Sequence, residues 1–415
     1  MRSFERVVVV SMFALGMGAT LYPGILVDWR RLGVSFSSVQ SLVLVLLCLA
    51  LGAMILESRM IPAVCKVLRQ TPALAFLLLL ALASSAWSID PPHTLSRSVM
   101  LSGTCLVSLY IGLHYEVEQI LTLIIATVAT LAMATIVSVT LSPDTATHPR
   151  LAGAWRGVFE HKNYLGRSML IGFVALLMKL RSADLSRSAR LGYSLIFPLV
   201  GALILLSRSA TACVLALIAV GLSVYLPCLL RPTTRRDYAV AIGGGVLGVF
   251  LGATAIFNPA GILHLLGKDT TLTGRTELWD IVLPHMLTRP WLGYGYGVFW
   301  DRFSDSIWQL ARWPTPHPHS GYIQLVLDLG IVGLLLFGFC FMLVFYRATI
   351  LYRRDSQRKN LFPILALCCL AALNVIETRL IKFDDFWWML FGIVVALTSD
   401  EGSRKHGGTA LRTAS

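Results

Sequence analysis

The residues best suited to chemistry gather in two polar stretches of an otherwise apolar chain. The first candidates are His317 and His319, set in the run Pro314-Thr315-Pro316-His317-Pro318-His319-Ser320. A residue that precedes proline avoids the α region, so the prolines hold this run extended and the next helix can start only after Pro318. His319 therefore falls at or just before a helix N-terminus, with Ser320 in capping position. The positive end of a helix dipole disfavours imidazolium. That leaves the ring neutral at pH 7 and able to act as a base. His-x-His is also a spacing that metals use, and His148, His161, His264 and His285 could contribute. No cysteine or carboxylate cluster lies nearby and no Asp-x-Asp occurs, so the expectation is no metal and no cofactor.

Cations form the second set. Arg208 stands in LLSRSAT, between two apolar runs joined by almost no loop. Arginine at membrane depth costs roughly 2.5–3.5 kcal/mol on insertion scales and usually faces protein or a water-filled cavity. Arg275 lies in TLTGRTELW, where Thr273 can cap a helix with Glu277 in its first turn and Leu278, Trp279 and Val282 on an apolar face. Arg156, His161, Lys162 and Asn163 share RGVFEHKNYLGR, a helix start able to receive an anion; the alternative is capping with snorkelling at the interface. Arg289 precedes PWLGYGYG, whose glycines permit a tight turn around Tyr294 and Tyr296. These aromatic residues suit a cleft wall or an aromatic belt at headgroup level. Asp328, in LVLDLG, is a buried acid that needs a partner. It lies nine residues past His319, on roughly the opposite helix face, and is not expected to orient the histidine. Gly330 and Gly333 suggest close helix packing.

The elements that must position these residues are membrane helices. The chain of 415 residues is 56% hydrophobic and only 14% charged, against about 25% charged in a soluble domain, and its mean hydropathy is +0.72. Twelve apolar spans can be drawn: 7–27, 36–56, 72–88, 97–113, 119–141, 164–180, 191–207, 209–230, 238–257, 321–346, 361–376 and 384–399. With a cytoplasmic start, the basic clusters around Arg59, Arg187, Arg235 and Arg353 all fall on one side, as the positive-inside rule requires. The net charge of +13 is thereby explained without nucleic acid. The eight cysteines sit in or beside apolar spans with no Cys-x-x-Cys, which argues against a disulfide framework or zinc site. The expected organisation is helices 1–9 in residues 1–257, with a smaller outside segment at 142–163. A large outside loop at 258–320 contains short helices, helices 10–12 occupy 321–399, and 400–415 form a disordered cytoplasmic tail.

SRSAT, TLTGRTELW, PWLGYGYGVFW and HPHSGYIQLVLDLGIVGL, in this order, resemble the O-antigen ligase and polymerase superfamily. The resemblance is strongest over about 153–337. It implies an all-α, polytopic, GT-C-like glycosyltransferase of about 12 transmembrane helices in the bacterial inner membrane, with its active site on the periplasmic face. The implied reaction moves a glycan from undecaprenyl diphosphate to a hydroxyl of lipid A–core or of a growing glycan. The family roles fall on Arg208 and Arg275 for the diphosphate and on His319 for the acceptor. Arg156, Lys162 and Arg289 are further diphosphate candidates, and His161, Asn163, His317, Tyr294 and Tyr296 are candidates for the substrate cleft. The family often has His-Asn where His319-Ser320 stands here. RGVFEHKNYLG and TLTGRTELW also resemble the exopolysaccharide-polymerising branch.

Overall fold

The computed structural model describes residues 2–19, 49, 52, 60–149, 151, 153–182, 185–257, 275–311 and 317–400. Most of the span drawn at 36–56, the cap at Thr273, His264 and the tail after 400 lie outside these residues.

The described residues are helical throughout, with two isolated antiparallel bridges, Ala19 with Phe159 and Thr147 with Trp155. In chain order the helices are α1 (Arg2–Gly16), α2 (Ile61–Gln70), α3 (Pro72–Ala83), α4 (Pro91–His114) and α5 (Val117–Leu141). Next come α6 (Lys162–Leu180), α7 (Arg187–Leu206), α8 (Ala210–Leu230) and α9 (Arg235–Phe257). Then follow α10 (Arg275–Thr288), α11 (Phe299–Ala311), α12 (Gly321–Arg354), α13 (Phe362–Ile376) and α14 (Phe386–Leu397). The starts are chemically marked. Asp90 caps α4, with proline in the first turn; Ser186 caps α7, Ser320 caps α12 and Asp385 caps α14, each accepting a backbone N–H that the helix itself leaves unpaired.

Among the described residues, six helical segments are long and apolar enough to cross a membrane: α4, α5, α7, α8, α12 and the stretch Arg358–Ile376 that includes α13. The α2–α3 pair adds a seventh if its 98° bend is taken as one broken span. The drawn span 72–88 is thus one arm of a bent pair, and 384–399 contains a helix of only 12 residues. Large apolar side chains such as Leu191, Leu195, Leu205 and Leu217 project outward from α7 and α8. In water so much exposed apolar surface would drive association, whereas in a bilayer it meets acyl chains. These features fit a multi-pass membrane protein.

The drawn span 321–346 is not one uninterrupted helix. Gly330 adopts φ 67° and ψ −170° inside α12, and the freed carbonyls of Leu327 and Asp328 accept the backbone N–H groups of Tyr294 and Gly295 at 2.8 and 3.1 Å. The turn from Pro290 to Gly297 docks against this break, with Ile331 N–H donating to Pro290 O at 2.7 Å. Gly293, Gly295 and Gly297 all have positive φ, as the composition of the turn led one to expect. Close packing at Gly330 is therefore helix against turn, not helix against helix. A Cβ there would lie 2.1 Å from Trp291 C. Gly330→Ala should combine that overlap with positive-φ strain and destabilise by about 2–4 kcal/mol, read as a lower thermal midpoint in detergent. An unchanged midpoint would mean that the break is not fixed by this glycine.

Candidate active site

Among the described residues three non-glycine residues have left-handed backbone conformations: Arg208 (φ 48°), His319 (φ 53°) and Ile381 (φ 46°). Such a conformation costs roughly 1–3 kcal/mol and persists where the surroundings over-determine it. Two of the three are the residues that the sequence marks for catalysis.

Arg208 occupies the connection between Leu206, the end of α7, and Ala210, the start of α8. Its N–H donates to Leu205 O at 2.9 Å, and Trp155 N–H donates to Leu206 O at 2.9 Å, tying the 142–163 segment to this corner. Lys162 Nζ donates to Arg208 O at 2.9 Å, and the Arg208 guanidinium lies against Gly153. The 142–163 segment and the α7–α8 corner are thus one unit. His161 caps α6, its Nδ1 accepting from Asn163 N–H at 3.2 Å.

His319 is clamped from several sides. Trp279 of α10 donates its indole N–H to Pro318 O at 2.8 Å, and His319 N–H donates to His317 Nδ1 at 3.4 Å. Ser320 Oγ bonds Asn374 O at 3.4 Å, at the end of α13. The rings of His317 and His319 lie 4.3 Å apart, centroid to centroid. Burial pushes His319 down to about 4, helped by the Arg275 guanidinium and opposed by Glu377. Burial likewise pushes His161 down to about 4, with His148 and Lys162 adding to it, and holds His317 well below its usual value, with His319 next in effect. All three rings are neutral at pH 7. The causes also show the grouping: Arg275, His161, Glu377 and Arg379 all act on His319.

The sequence reading missed the anionic centre of this group. Glu377 and Arg379 lie in the connection from α13 to α14, and Arg167 projects from α6. All three are buried. Glu377 Oε2 stands 3.6 Å from Arg379 Nη2 and 3.9 Å from Arg167 Nη1, while its Oε1 accepts from Asn163 Nδ2 at 3.3 Å. Asp385, the cap of α14, binds the other side of Arg379 at 3.1 Å. Both guanidiniums lie over the Tyr164 ring, at 3.6 Å for Arg167 and 4.9 Å for Arg379. Burial alone would raise the Glu377 carboxyl, but Arg379, Arg167 and Arg275 outweigh it and hold the group ionised. The available signal was Glu377-Thr378-Arg379, a charged step in a short connection between apolar runs.

Other candidates fall elsewhere. Arg156 clasps its own loop, donating from Nε to Thr145 O at 2.7 Å. Arg289 lies over the Tyr294 ring and donates to Trp87 O, with its contacts running away from the histidines. Tyr294 is buried in an aromatic cluster with Phe299, Phe303 and His285, and its hydroxyl donates to His285 O at 3.0 Å. It is the core of the loop's own small helical unit, not a cleft wall. Tyr296 is buried, lines a cavity beside His317, and donates to Ile381 O at 2.7 Å. Asp328 has the partner it needs in Gln324 Nε2, at 2.9 Å. Among the described residues no three or more His, Cys, Asp or Glu side chains are grouped to hold a metal ion.

Residues 193–338, which include Arg208, Arg275, His317 and His319, match the O-antigen ligase family model. With the relatives below, this match over part of the chain supports a likeness to the O-antigen ligase superfamily. The chain is similar to the exopolysaccharide production protein ExoQ of Rhizobium meliloti, 29% identical over 240 residues, or 53% of either chain. It is also similar to a protein of Rickettsia conorii named "Putative polysaccharide ligase", 27% identical over 136 residues, covering 31% of this chain and 32% of that one. A namesake in Rickettsia prowazekii is 27% identical over 134 residues, with the same coverage. The chain thus matches about half the length of the first relative and about a third of the others.

Removing one partner from a buried ion group strands the others, at a cost of about 3–5 kcal/mol. Glu377→Gln should therefore lower the thermal midpoint of the detergent-solubilised protein sharply. A midpoint equal to that of the parent protein would show that Arg167 and Arg379 do not depend on Glu377.

Proposed function

We propose that this chain is a glycosyltransferase of the O-antigen ligase type, with a GT-C-like, twelve-span fold in the bacterial inner membrane and its site on the periplasmic face. It moves a glycan from undecaprenyl diphosphate to a hydroxyl of lipid A–core. The observation that carries this reading is a neutral, conformationally constrained His319 within the field of Arg275, in a group that reaches Arg208 through His161 and Lys162.

The chemistry follows from the charges. A lipid diphosphate is already a good leaving group, so the site needs to stabilise its developing charge rather than protonate it. Arg275 and Lys162, both half-buried, supply that charge where it counts most, with the exposed Arg208 beside Lys162. The acceptor oxygen attacks the anomeric carbon and forms the new glycosidic bond. The bond from that carbon to the diphosphate oxygen breaks, and its electron pair leaves with the lipid diphosphate. The acceptor proton passes to His319, a contribution of about 10²–10⁴-fold. In-line attack inverts the anomeric configuration, and no metal has a role. Glu377, Arg167 and Arg379 hold the histidines and cations in place.

A second reading, polymerisation of an exopolysaccharide by the same chemistry, is favoured by the similarity to ExoQ, the longest of the matches described above. Inactivating the gene separates the two by surface-glycan analysis. Lipid A–core without polymer, with polymer retained on the carrier, supports the ligase; single repeat units in place of long chains support the polymerase.

His319→Ala should abolish transfer in proteoliposomes while lipid-linked donor still binds; near-normal turnover would remove His319 from the mechanism. Because the ring of the free protein gains its proton only at about 4, kcat/KM should hold as pH falls through 6.5 and decline only near that lower value. Bound diphosphate favours imidazolium, so the acid limb of kcat should lie at higher pH.

A further inference from the structure

Beside the charged group opens a cavity of about 370 Å³ that begins at Tyr164 and His317 and runs beneath the turn to α4 and α12. This falls in the roughly 300–1,000 Å³ range of small-ligand sites. One wall is a fixed polar network. Arg97 Nη1 meets Asp301 Oδ2 at 2.7 Å and also donates to Gly297 O. Trp300 Nε1 donates to Gln324 Oε1 at 2.8 Å, and Gln324 Nε2 donates to Asp328 Oδ1 at 2.9 Å.

The opposite wall, from the α13–α14 connection, is unfinished. Thr378 is 7% exposed, and its Oγ1 is buried without a hydrogen-bond partner. Asp384 Oδ1 is also buried without one, although Lys382 Nζ stands 3.4 Å away. Both residues line the cavity. A buried polar atom left unpaired is costly; Thr378 Oγ1, together with Asp384 Oδ1, which is ion-paired to Lys382 but accepts no hydrogen bond, points to a ligand that supplies hydroxyl groups to this lining. The lining offers a diphosphate no net positive charge: Asp301 and Asp384 are paired with Arg97 and Lys382, and Asp328 adds a further acid. Carboxylates, an amide and an indole around a polar void suit an uncharged polyol, with hydroxyls to the polar groups and C–H faces to the ring.

We propose that this cavity is the acceptor-saccharide subsite, in which Thr378 and Asp384 bind ring hydroxyls and the reacting hydroxyl passes His317 to reach His319. The assignment rests on the glycosyl-transfer reading for its direction, because His317, which lines the cavity, packs its ring against that of His319. It holds for either a lipid A–core or a growing-chain acceptor.

The test uses the full chain in nanodiscs of uncharged lipid, with methyl glycosides of glucose, galactose and N-acetylglucosamine as probes, followed by calorimetry or saturation-transfer NMR. At least one glycoside should bind saturably, and Thr378→Val and Asp384→Asn should each weaken it by about tenfold, as expected for one lost hydrogen bond. Thr378→Ser, which keeps the hydroxyl, should bind like the parent and so controls for folding. In transfer assays, Thr378→Val should raise acceptor KM by a similar factor while donor KM and kcat stay put. The proposal falls if no glycoside binds, or if both variants leave binding and acceptor KM unchanged. Glycoside binding that depends on Thr378, with no transfer from any lipid diphosphate, would instead overturn the transferase reading and leave the sugar site standing.

Discussion

The site depends on one buried carboxylate. Arg167, Arg379 and Arg275 all act on Glu377, and two of these guanidiniums lie over a single tyrosine ring. Without an anion among them, such a gathering of cations in a water-poor region would separate or admit water, since each buried ion costs several kcal/mol. Glu377 and Asp385 offset part of the charge and leave the rest. Burial first, and then the residual positive field, lowers the proton affinity of His319, and the same field favours an anion beside it. A single arrangement thus sets a neutral imidazole beside residual positive charge.

Much of this was legible in the sequence, for specific reasons. Proline excludes the helix until Ser320, so the place of His319 just before α12 followed from its neighbours, but its left-handed backbone departs from the extended run expected there. Arg208 stood out because an arginine between two apolar runs has few stable environments. The glycines of the 290–297 turn announced their positive φ. Glu377 and Arg379 did not stand out, because a short charged step between spans resembles an ordinary loop until its burial is known. For Tyr294 and Arg289, residue type and proximity in sequence do not tell a cleft wall from the small aromatic core that Tyr294 joins. The break at Gly330 was hidden too, since its cause, the docked turn, lies more than thirty residues away in the chain.

Backbone strain connects these parts. The break in α12 frees two carbonyls, which fix the turn at Tyr294 and Gly295. The turn carries Tyr296, whose N–H donates to Ser84 Oγ and whose hydroxyl donates to Ile381 O. Ile381 is the third residue held in the left-handed region, and it lies in the connection that also holds Glu377, Thr378 and Arg379. The helix break, the 290–297 turn and the α13–α14 connection are therefore linked by hydrogen bonds in sequence. A shift of the loop would move Tyr296, and through Ile381 it would bear on the wall of the cavity and the anion that organises the cations. The loop and the helices share one geometry, and the strained residues mark where they meet.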